Sequence, residues 1–451
     1  MTRLPARTLL AYGAPALGFG FMSQLISTYF MKYATDVLGI SAVLMGGVLL
    51  LSRGWDAIAD PVVGFLSDRT NTRWGRRRPW MLGSALPAAL AFMMLWTPPL
   101  WLTPAGLAAW TALAMAIALT SQTAVRMPHE ALGAELSRDY HERNRIFGAR
   151  RAWFGLGALL VFVTLLRVGD ASDPRREIAR LIVPLSALGV LLVGIACAAL
   201  REPAAHLGRG ATRPVAALRD LFANPHARRL LAVVLLQQVA LGAVTTSAAY
   251  HAQYVLGDPS AFPKLLACFF VGTLASIPIW LWLGRRYDKK PLLVAAMSGA
   301  GLILGAMFTV GRGDHALFFS LALAGGLVGG ALDVLLPSLQ ADVVDWDELR
   351  TGERKEGVYF AAWHFAEKLS LGIAAAATGF ALSASGFAPN AEQGPSALLA
   401  MRLLISLCPL ICFSAGACLF VGFGLDRAAH ARVQHEISRA ALAAPARAAS
   451  A

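Results

Sequence analysis

Charge is scarce in this chain. Of 451 residues only 15% are Asp, Glu, Lys or Arg, against roughly 25% in an average soluble domain, while 57% are hydrophobic and the mean hydropathy is +0.57. Water is therefore excluded as the main solvent. Cysteine is sparse too: Cys197, Cys268, Cys408, Cys412 and Cys418 all fall in apolar runs, where a thiol behaves as a small hydrophobe, so neither a disulfide nor a metal site is expected. Cys408 and Cys412 share a helix face at i, i+4, but without a neighbouring His or carboxylate they make a poor ligand set. The sequence also lacks a Ser/His/Asp or metal constellation, which argues against an enzyme and against any cofactor. The absence of an extramembrane signalling domain argues against a receptor.

Long apolar runs are what the chain has instead, near 9-33, 41-66, 80-98, 105-131, 151-168, 179-200, 229-255, 262-283, 291-310, 315-341, 358-386 and 397-424. Each is near the roughly 20 residues that cross a ~30 Å hydrocarbon core. Backbone groups in lipid must be satisfied within the segment, and runs this long fit helices better than ~10-residue alternating barrel strands. The expected fold class is an all-α membrane protein with twelve transmembrane helices. The first run lacks a small-residue cleavage site and reads as a span rather than a removable signal.

A net charge of +13 would suggest nucleic acid in a soluble protein, but here it marks topology. Arg69, Arg73, Arg76, Arg77 and Arg78 crowd the loop after span 2, and Arg285, Arg286, Lys289 and Lys290 the loop after span 8. Loops after spans 1, 3 and 7 carry almost none. With basic residues near both ends as well, the expected location is the cytoplasmic (inner) membrane, multi-pass, with both termini cytoplasmic. The loop after span 5, with Arg167, Arg175, Arg176 and Arg180, fits this less well, although Asp170, Asp173 and Glu177 accompany them.

The longest polar break divides the chain into a six-helix half at 1-200, a cytoplasmic connector at 201-228, a second six-helix half at 229-425 and a basic tail at 426-451. A weak echo supports the division: "GRRRPWML" from Gly75 leads into span 3 and "GRRYDKKPLL" from Gly284 into span 9. Two parallel repeats of this kind resemble the major facilitator architecture, in which substrate binds near the midplane between rocking halves.

Charges within spans are costly and usually face a cavity, so they point to function. Arg53, Asp56 and Asp60 follow i, i+3, i+7 on one face of span 2. At 1.5 Å rise per residue from Asp68, Asp60 lies about 12 Å and Asp56 about 18 Å into the membrane. Paired carboxylates repel unless a cation, a proton or an arginine lies between them. A coupling-ion site formed by Asp56 and Asp60 is therefore expected, with Arg53 as charge partner; a static ion pair is the alternative. Pro61 frees a backbone carbonyl beside Asp60. In span 4, Thr123, Arg126 and Glu130 repeat the i, i+3, i+7 spacing, Pro128 is placed to kink the helix, and His129 reads as a packing or gate residue. Arg151, Asp333 and Lys368 fall in spans 5, 10 and 11. Glu367 points about 100° away from Lys368, so only one of the two is expected to face the cavity. Arg126, Glu130, Arg151, Asp333 and Lys368 form the expected substrate-facing set. Asp68, Arg76 and Arg77 in one half and Asp342, Asp345 and Arg354 in the other are the expected cytoplasmic gate.

At these residues the sequence resembles the glycoside-pentoside-hexuronide:cation symporter family, typified by the melibiose permease, within the major facilitator superfamily. The blocks that carry the likeness are "YGAPALGFG" from Tyr12, "YATDVLGIS" from Tyr33, "RGWDAIADPVVGFLSDRTNTRWGRRRPW" from Arg53, "ALGAELSRDYHER" from Ala131 and "ADVVDWDELRTGERKEGVYF" from Ala341. The resemblance implies a secondary-active symporter whose partners are a small-molecule substrate, a coupling cation and membrane lipid, with no nucleic acid. It implies that Asp56 and Asp60 match the family's paired cation-site carboxylates, Thr123 a hydroxyl of that site, and Arg151 and Lys368 basic residues near the cavity. The span 1 and span 4 aspartates that hold galactosides in the permease fall at Gly20 and Arg126 here, and the stacking aromatic of span 4 at Glu130. These departures argue against a galactoside. Ala59 stands where some sodium-using members carry an amide, which removes an oxygen ligand and favours a proton over sodium. The expected solute is a glycoside or other sugar; the runner-up is an amphipathic or lysolipid-like anion met by Arg126.

Overall fold

The computed structural model describes residues 4-448 except 71, 100, 137-139, 170, 201-213 and 352-355. Among these residues there is no strand, and twelve helices are long and apolar enough to cross a membrane. Spans 1 to 6 are Ala6–Asp36, Ala42–Gly64, Arg78–Trp96, Pro104–Gly133, Gly148–Gly169 and Pro174–Ala199. Spans 7 to 12 are Pro225–Leu256, Ala261–Gly284, Lys289–Thr309, His315–Thr351, Ala361–Ala384 and Pro395–Val421. Their starts are chemically marked. Ser41, Thr103, Asp173, Asn224 and Asp288 cap spans 2, 4, 6, 7 and 9 by accepting from backbone N–H groups of the first turn.

The second half therefore begins at Pro225 rather than 229, because the Asn224 Oδ1 accepts from His226 and Ala227 and starts the helix there. The connector holds a helix of its own, Pro214–Ala223. The basic tail continues as a helix, Arg427–Ala448, and its first turns lie on the protein: His430 and Gln434 reach Asp345 at 3.1 and 2.6 Å.

Helix pairings repeat between the halves. Spans 1 and 5, 2 and 4, and 3 and 6 pack together, as do 7 and 11, 8 and 10, and 9 and 12. Small residues make the crossings close. A Cβ built on Gly20 would lie 2.1 Å from the Phe154 carbonyl oxygen, and one on Gly157 2.0 Å from that of Leu17, so spans 1 and 5 touch backbone to backbone. Gly326 against Phe269 does the same for spans 8 and 10, at 2.0 Å. Between the halves, spans 2 and 11 run side by side, with Gly379 against the Ala42 carbonyl.

The face opposite the chain ends is sealed by polar contacts across the halves. Lys32 bonds Asp36 and reaches over to Gln253, and its ammonium lies 5.5 and 5.3 Å from the ring centres of Tyr250 and Tyr254. Tyr254 donates to Asp36 at 2.9 Å, Asn390 donates to the Asp36 carbonyl at 2.6 Å, and Thr35 meets the Tyr250 hydroxyl at 2.8 Å. Gln253 and Tyr254 sit on a widened π-helical turn, His251–Leu256, of the kind that marks functional sites. Asp36→Asn strips Lys32 of its buried counter-charge and is expected to loosen this seal. The check is a cysteine placed at Thr246, just below it: a membrane-impermeant thiol reagent added from the sealed side should modify it faster in the Asp36→Asn background, and an unchanged rate would show that the seal holds without the charge.

Candidate functional site

Span 2 has two faces. Leu51, Trp55, Ile58, Val62 and Leu66 are exposed in a stripe at helical spacing, which suits lipid, and Arg53, Asp56 and Asp60 lie on the other side. Trp55 locks the helix to span 4 by donating to Thr120 at 2.7 Å. One turn further along span 4, Thr123 donates to Asp60 at 2.8 Å. Arg126 reaches Asp60 at 3.4 Å and Glu130 at 3.9 Å. Helical spacing grouped the residues within each span, the family resemblance joined Thr123 to the aspartates, and the structure brings Thr123 and Arg126 onto Asp60.

Lys368 takes a different place from the one expected. Grouped in the sequence with the substrate-facing residues, it lies instead between the paired carboxylates, in contact with Asp60 and 3.2 Å from Asp56. Lys368 belongs to the second half and both aspartates to the first, so the ammonium ties the halves together at mid-depth. Glu367, its neighbour, turns away to His364 at 3.1 Å. Arg53 lies only 3.8 Å from Asp56. Asp56 is almost fully buried, and its Oδ1 has no hydrogen-bond partner.

Arg150 was not anticipated. Its guanidinium binds Glu130 at 2.5 Å, which leaves Arg126 aimed at Asp60. Arg150 and Arg151 are adjacent and so point about 100° apart; only the three-dimensional position of Glu130 tells which one meets it. Arg151 is exposed and lies 5.7 Å from the Phe154 ring centre, and Asp333 is exposed on span 10. His129 is fully buried, stacks on Tyr12 at 4.5 Å and contacts the Tyr12 carbonyl at 2.6 Å, the geometry of a packing residue. Arg126 and Glu130 remain about a third exposed, at 34% and 32%, although they lie within a span. They therefore line a cleft, and with the opposite face sealed that cleft opens toward the chain ends.

On that open face the expected gate acids pair within their own half. Asp342 bonds Lys289 at 2.6 Å and lies 3.6 Å from His430, while Asp345 holds the tail helix. Arg77 is buried and donates to Ser67 at 3.0 Å, and Arg76 lies beside it in the loop. The Asp68 side chain and Arg354 lie outside the described residues.

Comparison with known proteins agrees with this geometry. Residues 11–427 match the family described as MFS/sugar transport protein. An uncharacterized symporter of Synechocystis is 28% identical over 96% of this chain and 97% of its own length. The glucuronide carrier protein homolog of Escherichia coli K12 is 28% identical over 90% of each chain. A solved bacterial homolog of the human lysosomal transporter Spinster, 14% identical, superposes with a TM-score of 0.70 over 96% of this chain and 99% of its own, which speaks to fold alone. A multi-pass membrane transporter rather than an enzyme, the chain belongs to the MFS/sugar transport family, among the glycoside-pentoside-hexuronide:cation symporters.

Proposed function

We propose that the chain imports a sugar or glycoside in symport with protons, through alternating access, with its termini in the cytoplasm. One observation carries the coupling: Lys368 of the second half sits between Asp56 and Asp60 of the first. A sodium ion wants several oxygen ligands, and here an ammonium already fills the space between the carboxylates. A proton needs only one carboxylate oxygen. Protonating Asp60 removes its attraction for Lys368 and so weakens the tie between the halves, which makes proton binding and rocking energetically linked. Arg126 bridges Asp60 and Glu130; a solute that engages Arg126 changes the charge around Asp60 and thereby links solute binding to the same proton. The basic loops after spans 2 and 8 support the cytoplasmic placement of the termini.

Purified protein in liposomes should accumulate its solute under an imposed pH gradient, alkaline inside, at constant sodium. Accumulation driven by a sodium gradient alone would refute the proton assignment. A growth screen across carbon sources, followed by uptake of the sugars it returns, supplies the solute for the assay.

A further inference from the structure

The turn between spans 8 and 9 carries cations that the fold itself leaves without partners. We propose that this turn binds the headgroup of an anionic phospholipid, with Arg286 and Lys290 on the phosphate and Trp282 and Tyr287 at the level of the glycerol. The site is independent of the solute and of the coupling ion. Only its placement in the inner leaflet rests on the cytoplasmic reading of the chain ends.

The basic residues that crowd this turn in the sequence take different places in the structure. Lys289 turns inward and bonds Asp342 at 2.6 Å. The acid of the turn, Asp288, is occupied as well: its carboxylate accepts from the backbone N–H of Lys290 at 2.9 Å and of Arg427 at 3.0 Å. Arg286 is exposed, and its guanidinium carbon lies 5.6 Å from the ring centre of Trp282. Among the described residues neither the Arg286 guanidinium nor the Lys290 ammonium has a hydrogen bond or an ion pair.

An exposed cation surrounded by water needs no ligand, so position decides the matter. Span 8 exposes Leu274, Pro278 and Trp282, which follow i, i+4, i+8 on one helix face, and Arg286 is the next step along it. Span 9 exposes Pro291, Ala295 and Leu302, a stripe that starts beside Lys290. Spans 8 and 9 pack on span 10 and barely on each other, which leaves these apolar stripes to acyl chains. Between the helix that ends at Arg286 and the one that starts at Lys289 stand only Tyr287 and Asp288, so both stripes run out at the same turn. Trp282 and Tyr287 are exposed there, and such rings sit well at a bilayer interface, apolar body toward the chains and N–H or O–H toward the headgroups. A guanidinium can grip one phosphate through two parallel N–H···O bonds, and an ammonium adds a point charge. Free phosphate would use the cations alone. A lipid uses the cations, the aromatic rings and the stripes together.

Lipid binding to the purified protein tests this without a gradient or a solute, so a failure of the transport reading would leave the result untouched. The full-length protein in detergent is titrated with phosphatidylglycerol or with phosphatidylcholine, and bound lipids are counted by native mass spectrometry. The first phosphatidylglycerol should bind more tightly than the first phosphatidylcholine. Arg286→Gln should weaken it about fivefold, the usual worth of one basic residue near an anionic lipid surface. Lys290→Gln should act alike, the double variant should lose the tight phosphatidylglycerol altogether, and Arg286→Lys should keep part of the preference. Arg432→Gln, exposed on the tail helix, is the charge-matched control and should change nothing. Glycerophosphoglycerol, the same headgroup without chains, should not displace the lipid. Equal affinity of the wild type for both lipids, or a first phosphatidylglycerol held as tightly by the double variant, would overturn the proposal. So would a loss in Arg432→Gln as large as in Arg286→Gln, the mark of a diffuse attraction, or displacement by glycerophosphoglycerol at the lipid's own concentration, the mark of a phosphate site without a lipid.

Discussion

Asp60→Asn is expected to abolish gradient-driven accumulation, to the level of empty liposomes, while leaving a folded protein that still exchanges solute down its gradient. The reason lies in the redundancy of the pairing. When Asp60 loses its charge, Lys368 keeps Asp56 at 3.2 Å and Arg126 keeps Glu130 at 3.9 Å, so no cation is stranded. What disappears is the one carboxylate that touches both the ammonium of the other half and Arg126. Lys368→Met has the opposite character. It leaves the buried Asp56 with only Arg53 at 3.8 Å, and stranding a buried charge costs about 3–5 kcal/mol. That variant should lose thermal stability, and Lys368→Met/Asp56→Asn should recover most of it. Uphill transport by Asp60→Asn equal to wild type would remove Asp60 from coupling; a fully stable Lys368→Met would show that Asp56 is not held by the ammonium.

Gly20→Asp, which writes into this chain the span 1 acid of the melibiose permease, should prevent folding. A Cβ at this position would lie 2.1 Å from the Phe154 carbonyl oxygen and 3.1 Å from its Cα. The obstruction is backbone, so no side chain can rotate out of the way and spans 1 and 5 would have to separate. Ordinary overpacking costs about 1–3 kcal/mol, and a desolvated carboxylate against a carbonyl oxygen adds to it. Gly20→Ala should already be destabilising. Gly155→Ala, two residues from the Gly157 crossing but with nothing within 4 Å of its added methyl, should be neutral or slightly stabilising, since glycine disfavours a helix interior. Size-exclusion profiles and thermal melts in detergent decide it. A monodisperse Gly20→Asp protein with the wild-type melting temperature would show that this crossing is not the close contact described.

The architecture was readable in the sequence because lipid imposes a one-dimensional rule: each segment must satisfy its own backbone and be apolar over about 20 residues. The expected runs and the observed helices accordingly agree within a few residues at most ends. The largest discrepancy is at the end of span 10, which runs on to Thr351 rather than 341; the start of span 7 moved to Pro225 because a single Asn side chain decides where that helix begins. The local half of the site was readable for a related reason. Arg53, Asp56 and Asp60, and likewise Thr123, Arg126 and Glu130, each share one helix face, and helical spacing is a property of sequence.

Contacts between distant segments were not readable in this way. Lys368 comes 308 residues after Asp60, and no spacing rule says whether its ammonium faces the solute or the carboxylates; the side-by-side packing of spans 2 and 11 decided that. The choice between Arg150 and Arg151 as partner of Glu130 depended on the rotation of span 5 against span 4. The seal at Lys32 and Asp36 was half visible as an i, i+4 pair ending an apolar run, but Gln253, Tyr254 and Asn390 join it only through the meeting of the halves. Gly20 is the sharpest case. In the sequence it is a missing acid, whereas in the fold it is the only residue small enough for two backbones to touch. Sequence by itself thus determined which segments cross the membrane and which faces of each helix carry charge, because solvent and helical periodicity act locally. Only the tertiary structure decided which charges meet, because that depends on how helices hundreds of residues apart rotate and cross.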